Sequence, residues 1–237
     1  MHPFQSIVVS DSLHDCPYLD DRIARTPLHL PIDRLTPQQF DAFLAVGGRR
    51  SGAFLYQTEC PVCSACEPIR VPVSTFQPTR SQRRVFRRGE SDLHVEIGEP
   101  EVDRRRVELF NRHKQLRSLA TREGAYSADD YARFLVDGCC RSVEIRYWLG
   151  DQLAAVAIAD QGDDSLSAVY CYFEPQLQRY SLGVYSILKQ IELSQQWSQT
   201  WVYLGLYIAD SKHMAYKNQY YPHERFIGGA WVEFSEQ

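Results

Sequence analysis

The clearest hydrophobic periodicities lie in the second half of the chain. Residues 142–149 and 152–159 are β-branched and aromatic runs on either side of Gly150-Asp151, the pattern of a two-stranded hairpin. Residues 165–173 read as a further strand. From 182 to 197 the apolar positions Val184, Ile187, Leu188 and Ile191 recur at helical spacing. Strand pattern returns at 201–206 and again at 230–234. Upstream, residues 101–137 read as helical through Val107, Phe110, Tyr131, Phe134 and Leu135, with Ser127 as a cap before Asp129 and Asp130. The first 95 residues carry little long periodicity. Within them, 28–31 is a short strand, and Thr36-Pro37 opens a helix whose apolar face is Phe40, Phe43 and Leu44 and which Gly47-Gly48 stops. Residues 53–56 and 69–73 read as strands flanking a cysteine loop. The chain therefore divides into a Cys- and Arg-rich N-terminal region, 1–95, and an α/β region, 96–237.

Hairpin, strand, helix and strand in that order predict an α+β fold: a mixed sheet with flanking helices. It resembles a GNAT-like acyltransferase core, an architecture that hosts many functions. Composition narrows the class. At 44% hydrophobic and 24% charged, the chain is neither disordered nor fibrous. No apolar run approaches the roughly 18 residues of a membrane helix. Residues 1–10 lack a basic stretch followed by a long apolar one, which predicts a cytoplasmic protein. Seven cysteines without a secretory context then read as reduced thiols. A net charge of −4 argues against a generic nucleic-acid coat. Local charge differs: Arg80, Arg83, Arg84, Arg87 and Arg88 form one run with no intervening acid.

Four stretches carry candidate chemistry. Cys60, Cys63 and Cys66 overlap two C-x-x-C spacings, so several thiolates can converge on one soft ion, with Cys16 as a fourth ligand of a zinc or iron–sulfur site. The alternative is a loop lined by structural thiols. The arginine run suits phosphates, because guanidinium forks match phosphate oxygens, or else it is a solvated face. Ser181, Leu182 and Gly183 begin a helix, where free backbone N–H groups favour an anion. With one glycine this turn makes a poor pyrophosphate cradle. Tyr203, Tyr207, Tyr216, Lys217, Tyr220 and Tyr221 are dense enough to stack a base and hold a phosphate, or to form a hydrogen-bonded core edge.

Taken in order, these pieces resemble the aminoacyl-tRNA–protein transferases of the N-degron pathway. The resemblance runs through Cys16-Pro-Tyr-Leu19, Gly48-Arg-Arg-Ser-Gly52, Cys60-x-x-Cys-x-x-Cys66, Pro68-Ile-Arg-Val71 and Phe76-x-Pro-x-Arg-Ser-Gln82. It continues through Leu166-Ser-Ala-Val-Tyr170, Glu174-Pro175, Ser181-Leu-Gly183, Tyr203-Leu-Gly205, Tyr207-Ile208 and Met214-x-Tyr-Lys217. Leu206 stands where members of the family usually carry an aromatic residue, and Leu19 where the eukaryotic branch has a cysteine. The length is similar to that of the bacterial branch, the aspartate/glutamate leucyltransferases.

That resemblance implies transfer of leucine from leucyl-tRNA to proteins beginning with Asp or Glu, or of arginine in the other branch. An aminoacyl ester is already activated, so the transfer step requires no cofactor. The enzyme brings a neutral α-amine onto the ester carbonyl and stabilises the oxyanion. Candidates for orientation and oxyanion contacts are the N–H groups of Ser181, Leu182 and Gly183 together with Tyr170 or Tyr207. Asp160 and Glu174, each at a strand end, are candidate bases. Arg70, Arg80 or Lys217 would meet the acceptor's carboxylate, and Arg83, Arg84 and Tyr216 the tRNA. Two other readings remain: a non-catalytic, metal-dependent tRNA-binding module, and a coenzyme A-dependent acetyltransferase. The sequence leaves the oligomeric state open.

Overall fold

The computed structural model describes residues 4–120 and 123–235. Short strands open the chain: β1 (Ser6–Ser10), β2 (Leu13–Asp15), β3 (Ile23–Arg25) and β4 (Leu28–Pro31). Helix α1 (Pro37–Ala45) begins where expected, because Thr36 and Gln39 satisfy each other's backbone N–H groups. It buries Phe40, Phe43 and Leu44. Strands β5 (Arg49–Ser51) and β6 (Phe54–Tyr56) complete a four-stranded sheet ordered β1-β4-β6-β5, while β2 and β3 form a separate ribbon. The cysteine loop then leads into β7 (Glu67–Pro72).

The arginine run is a helix, α2 (Arg80–Asp92), opened by a reciprocal cap between Thr79 and Gln82. Sequence pattern did not show it because its buried positions are Gln82 and Gly89, not large apolar residues. Gly89 is small for a reason. A Cβ there would lie 2.2 Å from the Tyr185 ring. Strand β8 (His94–Gly98), also unforeseen, is followed by α3 (Arg104–Leu116) and α4 (Ala128–Tyr131), which widens into a π-helical turn, Ala132–Val136. The expected strands and helix then follow as β9 (Ser142–Leu149), β10 (Gln152–Gln161), β11 (Ser165–Phe173), α5 (Leu182–Gln196) and β12 (Trp201–Tyr207). The chain closes with β13 (His223–Ile227) and β14 (Ala230–Phe234).

These strands form an eight-stranded sheet ordered β14-β13-β7-β12-β11-β10-β9-β8. The GNAT-like expectation of a mixed sheet with flanking helices holds. Strand β10 is buried from Leu153 to Asp160, as a central strand covered on both faces must be. Its Val156 and Ile158 meet Phe110, Tyr131 and Leu135 from α3, α4 and the π turn. Its Ala159 faces the other way, into a cluster with Ile187, Leu188 and Ile191 of α5. Strand β7, from the N-terminal region, lies inside this sheet, and position 95 falls within β8.

One junction sets up the site. Strands β11 and β12 are the only parallel neighbours among the described strands, and they pair only over Ser165–Ser167 with Trp201–Tyr203. At that point both strands bulge against their other neighbours: β11 between Ala168 and Tyr170, β12 between Tyr203 and Gly205. Beyond it the two strands part. The split leaves backbone groups of both strands without a ladder partner across it.

Candidate functional site

Two cationic side chains from outside the split fill its backbone vacancies. Arg49, on β5, donates from Nη1 to Ser167 Oγ at 3.3 Å and from Nη2 to the Ala168 carbonyl at 3.4 Å. Its Nε–H is buried without a partner. Lys217, on the 3₁₀ turn Ala215–Gln219, donates to the Leu206 carbonyl at 2.7 Å and lies 3.2 Å from Met214 Sδ. Only 9% of Arg49 and 7% of Lys217 is exposed. Their partners are a hydroxyl, two carbonyls and a thioether, with no carboxylate among them. Burial, and secondarily the Arg49 charge, pull the Lys217 ammonium down to about 7.

Gly205 lies between the two cations. Its φ of +93° is open to glycine and hostile to other residues. A Cβ built there would sit 3.0 Å from Arg49 Nη2 and 3.3 Å from Lys217 Nζ. The glycine thus lets the strand bulge, and any side chain at this position would press on both nitrogens.

A cavity of about 190 Å³ is walled by Cys16, Tyr18, Tyr56, Cys60, Cys66 and Leu206 among others. Leu206 joins the two places, since its carbonyl holds Lys217. Tyr18 also joins them: burial pushes its phenol up to about 12, and the Arg49 charge works against that rise. The four expected cysteines are electrostatic neighbours. Burial raises the Cys66 thiol to about 12, with further pushes from Cys16, Cys60 and Cys63. As a donor set they suit a soft ion, but among the described residues no three Cys, His, Asp or Glu side chains are arranged to hold one. Cys60 Sγ instead points to the Arg25 carbonyl at 4.0 Å.

Other sequence candidates sit elsewhere. Arg70 is already paired: Glu224 holds it at 2.6 Å, Tyr203 OH accepts at 3.1 Å, and Trp201 and Trp231 cover its faces at 3.7 and 4.1 Å. Asp160 accepts from Arg50 at 2.5 Å and from Ser142 at 2.6 Å, which ties β5 to β10. Glu174 accepts from Arg112 at 2.8 Å. Both carboxylates are therefore engaged as ion-pair anchors and not poised as free bases. Tyr170 keeps a buried hydroxyl with no partner, its ring 5.0 Å from Lys114 Nζ. Tyr207 is half-buried on β12, with Arg225 4.8 Å from its ring centroid. Tyr216 is exposed beside Lys217, 6.0 Å from its Nζ.

A second surface gathers the remaining candidates. Arg80, Arg83, Arg84, Arg87 and Arg88 all lie exposed on α2. That helix packs on α5 through Phe86 and Tyr185, whose ring centroids are 5.9 Å apart. Arg88 donates to the Arg179 carbonyl, which fixes the arginine face beside the turn into α5. There Ser181 adopts φ +48°, ψ +51° and its carbonyl accepts the first helical bond, from Tyr185. Leu182 is buried, and Gly183 faces Phe173. This is a basic surface next to a helix N-terminus, suited to a phosphate backbone.

Sequence reasoning missed Arg49. It lay inside a quoted motif, Gly48-Arg-Arg-Ser-Gly52, without a role. The available signal was the pair Arg49-Arg50 in a strand pattern with no acidic neighbour in sequence, which demands distant partners for both. Arg50 finds one in Asp160; among the described residues Arg49 finds none.

Comparison with known proteins covers the whole of this geometry. Residues 14–84 match the family described as "Arginine-tRNA-protein transferase, N terminus", and residues 105–227 its C terminus. A protein of Thiobacillus denitrificans named aspartate/glutamate leucyltransferase is 37% identical over 97% of this chain and 95% of its own length. A protein of the same name from Chromobacterium violaceum is 33% identical over 94% and 92%. Among solved structures, the C-terminal domain of a putative lysylphosphatidylglycerol synthetase from Agrobacterium fabrum gives a TM-score of 0.48 at 14% identity, covering 74% of this chain and 54% of that one.

Proposed function

This chain belongs to the arginine-tRNA-protein transferase family, and from that premise we propose that it moves leucine from leucyl-tRNA onto proteins beginning with Asp or Glu. The observation that carries the donor assignment is the near full-length similarity to proteins named aspartate/glutamate leucyltransferase. The family description names arginine, but it spans both branches, whereas the relatives match nearly end to end. The mainly apolar cavity beside the split suits an aliphatic aminoacyl side chain better than a guanidinium.

In this reading the exposed arginines of α2 dock the tRNA, and its aminoacyl end enters the split. The acceptor's α-amine, with a pKa of ~7.7–8.0, is neutral in a useful fraction near neutral pH. Its nitrogen attacks the ester carbonyl, the bond from that carbon to the ribose oxygen breaks, and a proton passes from nitrogen to that oxygen. No side-chain base is required, which agrees with Asp160 and Glu174 being held by arginines. Holding amine and ester together supplies most of the acceleration. The new N-terminal leucine marks the protein for degradation by the N-degron route, in the cytoplasm where charged tRNA resides. Among the described residues no helix is long and apolar enough to cross a membrane.

The four cysteines would hold any zinc ion or iron–sulfur cluster as a tie within the N-terminal layer, and no step of transfer passes through it. The test of function is direct. Purified protein is given labelled leucyl- or arginyl-tRNA and peptides beginning with Asp, Glu, Asn, Gln or Lys. Label should pass from leucyl-tRNA to the Asp and Glu peptides. Preference for arginyl-tRNA, or no transfer to any peptide, would overturn the assignment.

A further inference from the structure

Arg49 and Lys217 are two buried cationic side chains, and among the described residues no carboxylate pairs with either. A buried unpaired charge is costly, and two close together are worse. If their task were only to cap the Ala168 and Leu206 carbonyls, neutral donors would serve at less expense. The Arg49 bonds are also long, at 3.3 and 3.4 Å, and its Nε–H has no acceptor at all. The pair has donors left over, and Arg49 Nη2 and Lys217 Nζ converge beside Gly205.

We propose that Arg49 and Lys217 are the receptor for the acceptor's acidic side chain, whose carboxylate bridges the two cations beside Gly205. The inference rests on the transferase reading above and adds the specificity-determining residues to it. A carboxylate at this point lies in the split, so the α-amine a few bonds away is delivered to the place where β11 and β12 part. An Asn or Gln side chain would turn a neutral amide toward two cations and leave them unpaired, which explains selection of acid over amide. Asp and Glu differ by one methylene, a difference that the flexible Lys217 stem absorbs.

A tRNA phosphate is the competing anion. A phosphodiester has a ribose on both sides and needs an open groove, whereas these cations are more than nine-tenths covered. A side-chain carboxylate is terminal and brings no second substituent that must be accommodated there. The exposed α2 arginines already offer the phosphate surface.

The experiment compares Asp- and Asn-initiated peptides by transfer kinetics with leucyl-tRNA, and by calorimetric binding of the peptide alone. Lys217→Met and Arg49→Gln should each raise the KM for the Asp peptide by ~30-fold or more. Each should bring the Asp/Asn ratio toward unity and leave leucyl-tRNA affinity within about two-fold, while Lys217→Arg retains part of the selection. Unchanged selection with weakened tRNA binding would assign the pair to a phosphate and overturn the proposal. Unchanged selection and unchanged tRNA binding would reduce the pair to carbonyl caps and overturn it equally. If Arg49→Gln does not fold, Lys217→Met carries the comparison. Wild-type protein that transfers leucine to no peptide sinks the functional reading, yet calorimetry still reads the receptor. Asp-peptide binding lost in Lys217→Met supports it, and equal binding of Asp and Asn peptides to wild type refutes it.

Discussion

Replacing Lys217 with Met should stabilise the protein while it loses acceptor selection. In the fold this lysine titrates at about 7, chiefly because burial disfavours its charge. In the unfolded chain it titrates near ~10.4. Between those two values the unfolded state holds a proton that the folded state lacks, so stability rises with pH across that window. Below it both states are protonated, and the penalty for burying the ammonium is full. The linkage integral puts that penalty at ~4 kcal/mol at pH 7 and ~2 kcal/mol at pH 9. Met fills similar volume without charge, but it gives up the bond to the Leu206 carbonyl, worth ~1 kcal/mol. The net gain is then ~3 kcal/mol at pH 7 and ~1 kcal/mol at pH 9.

Urea denaturation of both proteins at the two pH values measures this directly. For a chain of this size a gain of ~3 kcal/mol is also a rise in Tm of roughly 6–12 °C. A residue placed for structure behaves in the opposite way, and its loss destabilises. Lys217→Met that is less stable at pH 7, or whose gain is the same at both pH values, would refute the account of Lys217 as a buried, unneutralised charge kept for a ligand.

Other outcomes test neighbouring claims. Arg83→Ala with Arg84→Ala should weaken leucyl-tRNA binding and reduce the slope of log K against log salt by ~1.5–2; an unchanged slope makes α2 a solvated face only. Gly205→Ala places a methyl between Arg49 and Lys217 at φ +93° and should cost ~1–3 kcal/mol by thermal melt while lowering Asp-peptide transfer; wild-type Tm and transfer would show that the space is unused. If Cys16, Cys60, Cys63 and Cys66 close on an ion, anaerobically purified protein carries stoichiometric zinc or iron that Cys63→Ser removes, read by elemental analysis and absorption; protein with neither metal makes the cysteines plain cavity walls.

The fold was largely legible where one physical signal dominated. Strands β9, β10, β11 and β12 and helix α5 announced themselves because each buries a regular set of large apolar side chains. Helix α1 was equally plain from its capping residues. Helix α2 was not, since its fully buried positions are Gln82 and Gly89 and its only large apolar residues, Val85 and Phe86, are adjacent and make no helical stripe. Strand β7 was found, but its place between β12 and β13 was not, because pairing across more than a hundred residues follows from tertiary packing and leaves no mark in local pattern.

The site was legible by residue type and not by partner. Charge in a sequence says nothing of what it meets. Arg70, Asp160 and Glu174 had the right chemistry, and each is met at close range by an opposite charge: Glu224, Arg50 and Arg112 respectively. Arg49 and Lys217 differ from them only in lacking such a partner, and that absence exists only in three dimensions. It depends on β11 and β12 separating after Tyr203, on the absence of a side chain at Gly205, and on β5 and the turn after β12 reaching the same place. Where the other inward-facing arginines are neutralised so thoroughly, two cations that no carboxylate meets among the described residues are understood as waiting for one that the substrate brings.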